Sequence, residues 1–313
     1  MSRAAILDGR TPAAAVQAET AEGVKRLRRE TGIVPRLAVI LVGDNPASEI
    51  YVRNKARGSR EAGMESDLVR LPQGVSQKEL LAAIARLNDD TAVHGVLLQL
   101  PIPAGLDARA AILAIDPAKD VDGLHPASAG RLLTGQPGFV PCTPAGILEL
   151  LKRRALPLEG REAVVIGRSD IVGKPVALLL LREQCTVTIC HSRTRDLPAV
   201  ARRADLLVAA IGRPAFVTRE FIKPGGVVVD VGINRCTSTE DAARWWPGQT
   251  KRVEEIRSRG WTLVGDVHPQ DALETASALT PVPGGVGLMT IAMLLANTLR
   301  AARSAAELPA GAR

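Results

Sequence analysis

The sequence predicts an α/β protein in two domains, and three observations carry that expectation. Short aliphatic or β-branched runs alternate with helical patterns through most of the chain, which is how a sheet covered by helices is written. A proline- and glycine-rich zone, Leu132 to Gly146, interrupts this alternation and reads as a domain boundary. The 313 residues suffice for two cores, and a composition 46% hydrophobic but only 2% aromatic makes those cores aliphatic.

The elements follow in order. Pro12 to Glu30 reads as a helix and Leu37 to Val42, LAVILV, as a buried strand. Asn45-Pro46 supplies an N-cap with proline at the first helical position, and Gly63 a stop. The helix between them carries the chain's single tyrosine, Tyr51, one turn before Lys55 on the same face. Ser76 to Asn88 is helical, and Val93 to Leu100 is a strand. Beyond the boundary, Thr143-Pro144 reads as a cap opening a linking helix. Strands then follow at Ala163 to Gly167, Cys185 to Cys190, Asp205 to Gly212 and Gly226 to Gly232, with a helix at Gly173 to Leu181. A second break, TPVPGGVG from Thr280 to Gly287, precedes an apolar helix from about Leu288 to Arg300 that is expected to return to the first domain. The polar, tryptophan-bearing segment Cys236 to Gly260 has no clear assignment.

Composition excludes several classes. No apolar run approaches the roughly 20 residues of a membrane span. The N-terminal stretch lacks a long apolar stretch and soon meets Asp8 and Glu19, so a cytoplasmic protein is expected. Cys142, Cys185, Cys190 and Cys236 show neither CxxC nor Cys/His spacing, which predicts reduced thiols and no metal. The net charge of +7 is scattered among few aromatic rings, so it suits anionic small molecules better than nucleic acid.

Four constellations carry chemistry. In AVVIGRSDIVGKP a strand enters a turn with Gly167 and Gly173 before a helix beginning near Lys174-Pro175, the arrangement a pyrophosphate needs, although Ser169 replaces the second glycine of GxGxxG. The following strand ends in His191, Ser192 and Arg193 rather than an acid, and Arg168 follows the first glycine, which favours NADP over NAD. Gln99 is a lone amide near the carboxyl end of an apolar strand. Asp120 and Asp122 stand two apart beside Gly123; an Asp-x-Asp can hold a metal, but with no third ligand apparent the pair reads as a self-capped turn or as an acceptor for a heterocycle edge. TPVPGGVG would let backbone approach a flat ligand, or serve as a hinge. Lysine is rare among the positive charges of this chain, and unlike arginine it can lose its proton near neutrality.

In this order the segments YVRNKARGSREAG, GVLLQLPIP, KDVDGLHP, PCTPAGILELL, VIGRSDIVGKPVALLL, TVTICHS, VDVGINR, GDV and TPVPGGVGLMT resemble the bifunctional methylenetetrahydrofolate dehydrogenase/methenyltetrahydrofolate cyclohydrolase family, from about Ile6 to Thr298. The resemblance implies an N-terminal three-layer α/β catalytic domain, residues 1–142 with a C-terminal helix of about 286–313 packed back on it. It also implies a Rossmann-like NADP-binding domain, residues 143–285, with folate in the cleft between the two. It assigns catalysis to Lys55, Gln99, Tyr51 and Asp122, and dinucleotide contacts to Gly167, Arg168, Ser169, Ser192 and Ile233. The folate side falls to Tyr51, Ser48, Leu100, Pro101, Asp122, Pro283, Gly284 and Gly285. Tetrahydrofolate one-carbon derivatives, a homodimer, and a role in one-carbon metabolism and purine biosynthesis are implied, with no metal, membrane or nucleic acid.

Two departures stand out: Leu288 replaces the family's usual proline, and Cys236 to Gly260 is longer and more polar than the family pattern. The Tyr-x-x-x-Lys spacing also fits short-chain dehydrogenases, but there the glycine turn precedes the tyrosine, whereas here it follows far downstream.

Overall fold

The computed structural model describes residues 3–306. The chain begins β1 (Ala5–Ile6), α1 (Arg10–Thr31), β2 (Arg36–Val42), α2 (Pro46–Glu61), β3 (Glu65–Leu71), α3 (Gln77–Asp89), β4 (Gly95–Leu98), α4 (Ala108–Ala114) and α5 (Pro126–Thr134). It continues α6 (Cys142–Arg153), β5 (Glu162–Ile166), α7 (Gly173–Arg182), β6 (Thr186–Cys190), α8 (Leu197–Ala201), β7 (Leu206–Ala209) and, after a short 3-10 turn, β8 (Val227–Asp230). The last elements are β9 (Asn234–Cys236), α9 (Thr239–Trp245), α10 (Thr250–Arg259), β10 (Thr262–Val264), α11 (Pro269–Thr275), β11 (Ala278–Leu279) and α12 (Val286–Ala305). The expected helix beyond residue 306 lies outside the described residues.

These elements form two compact units. One takes Ala13–Cys142 and the chain from Thr290 onward; the other takes Thr143–Met289 and the N-terminal segment through Pro12.

In the first unit three parallel strands lie in the order β3-β2-β4. The central strand is buried on both faces, which is why it is written as an unbroken apolar run. Ala38, Ile40 and Val42 pack with Leu80 and Ile84 of α3 and Ala111 of α4. Leu37, Val39 and Leu41, on the opposite face, pack with Val52 of α2 and with Leu294 and Ala301 of α12. Three layers result. The edge strand β3 went unread in the sequence because ESDLVRL is half exposed and mostly polar.

The second unit holds six parallel strands in the order β1-β11-β8-β7-β5-β6. Val164 and Ile166 of β5 face Ala201 of α8 and Ala272 of α11, while Ala163 and Val165 face Val176 and Leu180 of α7. Beside this sheet, β9 and β10 pair antiparallel, and the segment left unassigned above folds between them as α9 and α10. Ser238 caps α9 through its side chain, and Gly260, at φ 85°, closes α10. Trp245, Trp246, Ile256, Val264, Cys236 and Ala242 give this segment its own apolar cluster.

Two helix starts differ from expectation. The linking helix begins at Cys142, so Thr143 is already inside it. The last helix begins at Val286, which puts Leu288 third in the helix, where its N–H donates to the Gly285 carbonyl at 3.3 Å. The expected start at Leu288 is therefore corrected: Leu288 lies inside the helix and has an amide bond to make, which a proline there would lack.

Candidate active site

Lys55 is a buried lysine, 9% exposed, on α2. Its Nζ donates to Oε1 of Gln99 at 2.9 Å. Gln99 follows β4, and its N–H continues the ladder by donating to the Ile40 carbonyl at 2.9 Å. Its Nε2 donates to the Leu100 carbonyl at 2.7 Å, so both ends of the amide are used and its orientation is fixed. Burial lowers the Lys55 pKa, while the nearby Asp122 acts to raise it. Ser48, buried, and Tyr51, half-buried, precede Lys55 on α2; Leu100 and the exposed Pro101 follow Gln99. Burial raises the Tyr51 phenol above its ordinary pKa, keeping it neutral.

The two aspartates separate by role. Asp120 is buried and accepts from the Leu124 and His125 amides and from Ser128 Oγ, at 3.1, 2.8 and 2.9 Å. It is the self-capped turn. Asp122 is half-buried and bears electrostatically on Lys55 and Cys142.

Two residues of this unit had no role in the sequence reading of the site. The Cys142 thiol donates to the Val121 carbonyl at 3.3 Å, and burial with Asp122 pushes its pKa well up, so it stays protonated. Asn297 of α12 donates from Nδ2 to the Val121 carbonyl at 2.8 Å and lies 3.6 Å from Cys142 Sγ. A lone Asn in an apolar helix was the available signal.

In the other unit the glycine turn fits a dinucleotide. Gly167 has φ 131°, and a Cβ there would lie 2.2 Å from the Ala210 carbonyl oxygen. A Cβ on Gly173 would meet the Gly167 carbonyl oxygen at 2.3 Å, so the helix start packs against the turn only as glycine, the close helix–strand approach of a dinucleotide fingerprint. Ser169 Oγ accepts from the Val172 and Gly173 amides at 3.1 and 3.2 Å, which explains the serine in a glycine's place. β5 and β6 pair Ile166 with Cys190, so Arg168 and Ser192, each two residues further on, occupy matching positions at the carboxyl edge. Both are exposed. His191 is turned to structure instead, its Nδ1 accepting from the Arg193 amide at 3.1 Å.

The carboxyl edge is organised by an aspartate with no role assigned in advance. Asp266 is fully buried and accepts from the Ile211, Gly212 and Arg213 amides at 2.7, 3.0 and 2.9 Å, and from Asn234 Nδ2 at 2.9 Å. It thereby fixes the loop after β7 and the residue next to exposed Ile233. Asp230 beneath it accepts from the Gly232, Asp266 and Val267 amides, and burial raises its pKa to about 7. Thr280 Oγ1 bonds Asp230 and begins the loop carrying Pro283, Gly284 and Gly285. Gly9 donates to the Gly284 carbonyl at 2.8 Å. A Cβ on Gly9 would lie 2.2 Å from the Gly285 oxygen, so that contact requires glycine.

These features define the class of α/β enzymes that join a dinucleotide-binding parallel sheet to a separate unit bearing a buried lysine. Comparison narrows the class. The family described as "Tetrahydrofolate dehydrogenase/cyclohydrolase, catalytic domain" matches residues 7–122, and "Tetrahydrofolate dehydrogenase/cyclohydrolase, NAD(P)-binding domain" matches residues 141–306. The Bifunctional protein FolD of Cereibacter sphaeroides is 56% identical over 303 residues, 97% of this chain and 96% of that protein. That of Koribacter versatilis is 53% identical over 300 residues, 96% and 97% of the two chains. Among solved structures, the Trypanosoma brucei methylenetetrahydrofolate dehydrogenase-cyclohydrolase, complexed with NADP cofactor and inhibitor, gives a TM-score of 0.87 at 38% identity over 98% of this chain and 99% of that one. The Campylobacter jejuni enzyme gives 0.86 at 43% identity, over 96% and 98%. The chain belongs to the tetrahydrofolate dehydrogenase/cyclohydrolase family.

Proposed function

We infer that the chain oxidises 5,10-methylenetetrahydrofolate to the 5,10-methenyl form with NADP, and hydrolyses that product to 10-formyltetrahydrofolate. The observation that carries this reading is the buried Lys55 held on Gln99, in a chain whose other unit has the glycine turn and the basic carboxyl edge that NADP requires.

Bound NADP supplies the hydride acceptor. Its pyrophosphate is assigned to Gly167 and Ser169, its 2′-phosphate to Arg168 and Ser192, and an apolar contact to Ile233. The folate nitrogens supply the electrons that release hydride from the bridging carbon, so the protein's part in this step is positioning. Tyr51 covers the aromatic part of the folate and Asp122 accepts from the pterin edge. Ser48, Leu100, Pro101, Pro283, Gly284 and Gly285 complete the contacts.

Hydrolysis adds water to the methenyl carbon, breaks one C–N bond and releases a proton. Neutral Lys55 takes the proton from the attacking water, and Gln99 orients Nζ. Burial supplies the direction of the pKa shift this needs, and the cationic substrate adds to it.

By the same resemblance the chain is assigned a homodimeric state and a cytoplasmic setting in one-carbon metabolism, supplying formyl groups for purine synthesis. Among the described residues no helix is long and apolar enough to cross a membrane.

Initial rates with 5,10-methylenetetrahydrofolate, with NADP and NAD in parallel and methenyl hydrolysis assayed separately, test the reading. Turnover with NADP plus hydrolysis supports it; neither activity in a folded sample refutes it.

A further inference from the structure

The α9–α10 segment takes no part in the reaction set out above, yet one of its side chains reaches the loop assigned to folate. Arg252 of α10 is half-buried and donates from Nη2 to the Val282 carbonyl at 3.0 Å. Its Nη1 donates to Thr262 Oγ1 at 3.3 Å, and its guanidinium lies 4.7 Å from the centre of the Trp246 ring. Glu255 Oε2 accepts from Thr262 Oγ1 at 2.5 Å and from Arg259 at 3.1 Å, and lies 3.7 Å from Arg252 Nη1. A long, flexible cation is thus held by ring stacking, a hydroxyl and a carboxylate, so little freedom remains to be lost when it bonds the carbonyl.

The loop it meets is supported at its two ends. At its start the Thr280 amide donates to the Val228 carbonyl at 3.1 Å and Thr280 Oγ1 bonds Asp230; further on the Gly9 amide donates to Gly284 and the Leu288 amide to Gly285. Val282 lies between them, immediately before Pro283. Proline lacks an N–H and Gly284 stands at φ 111°, so this stretch has few backbone bonds with which to hold its own shape.

We propose that Arg252 is a positioning residue for the reduced folate: by holding the Val282 carbonyl it keeps Pro283, Gly284 and Gly285 in the conformation that receives the substrate. The α9–α10 segment is the scaffold that delivers the guanidinium. The proposal rests on the assignment of those three residues to the folate side.

Two measurements on the full chain test it. The first is hydrogen–deuterium exchange without ligand, comparing wild type with Arg252→Met. Peptides covering Thr280 to Leu288 are expected to exchange faster in the variant, with β5 and α7 unchanged. The second is steady-state kinetics. Arg252→Met is expected to raise KM for 5,10-methylenetetrahydrofolate about tenfold, with kcat within about twofold and KM for NADP unchanged. Arg252→Lys, which keeps a charged donor, is expected to recover part of the loss, and Trp246→Leu, which loosens the guanidinium without removing it, to reproduce part of it.

Unchanged exchange at Thr280 to Leu288 overturns the brace. Faster exchange with an unchanged folate KM overturns its link to substrate, and an equal loss of folate and NADP affinity reduces Arg252 to general stability. If wild type turns over neither folate, the functional reading fails, while the exchange experiment still decides whether Arg252 holds the loop.

Discussion

Lys55 Nζ meets Gln99 Oε1 at 2.9 Å, joining a helix to the end of a strand across 44 residues of chain. The lysine is buried in a site whose most direct partner is a neutral amide rather than a carboxylate. A carboxylate in that place would bind the ammonium form strongly and keep it protonated. An amide fixes the position of Nζ at a smaller cost to its release of a proton.

Lys55→Met is therefore expected to lower methenyl hydrolysis by at least about a hundredfold, the scale of a lost general base. Lys55→Arg should fail similarly, because a guanidinium does not give up its proton. Measured hydrolysis rates check this, and full activity in the methionine variant would remove Lys55 from the mechanism.

The pH profile of hydrolysis should rise as Lys55 loses its proton, with a midpoint below the ordinary lysine range. In Gln99→Leu an acceptor that favours the charged form is gone. The midpoint should move to lower pH and the plateau should fall, since Nζ is no longer oriented. An unmoved midpoint with an unchanged plateau would remove Gln99 from the mechanism.

Arg168→Leu is expected to raise KM for NADP about tenfold while changing KM for NAD little, because only the 2′-phosphate distinguishes the two. Parallel rates with both nucleotides measure the change. Equal losses would place Arg168 away from the 2′-phosphate.

Asp230 makes stability depend on pH in a stated direction. Its folded pKa, raised by burial to about 7, exceeds the ordinary value of 3.8. Between those limits the folded chain binds the extra proton, so the contribution is present in acid and is lost as pH rises through about 7, on the order of 4 kcal/mol in all. Asp230→Asn does not titrate. Urea midpoints at about pH 5 and about pH 8 should show the advantage of wild type over the variant shrinking toward the higher pH. A constant difference would mean that the Gly232, Asp266 and Val267 amides outweigh burial and leave Asp230 charged throughout.

Parts of the site were legible for local reasons. Tyr51 and Lys55 share a helix face, and the turn from Gly167 to Gly173 lies within one strand-turn-helix unit, so spacing alone exposes them. Asp120 was read correctly as one of two possibilities, since a turn capped by its own aspartate is a short-range pattern. Asp266 was not legible as an organiser, because the amides it gathers lie at Ile211 to Arg213, more than 50 positions away. Cys142 and Asn297 likewise gain meaning only from the Val121 carbonyl they share.

By itself the sequence determined the alternating α/β architecture, the glycine turn between strand and helix and, through its ordered motifs, the folate family. Strands buried on both faces must be written as apolar runs, and glycine and proline mark turns wherever backbone geometry demands them, so these features survive in one dimension. Tertiary structure alone decided that β1 joins the second sheet, that Gln99 receives Lys55, that Asp266 anchors the loop after β7, and that Arg252 reaches Val282. Each is a directional contact between distant residues. Such contacts depend on how strands and helices are laid together, and leave no period or spacing in the chain from which to read them.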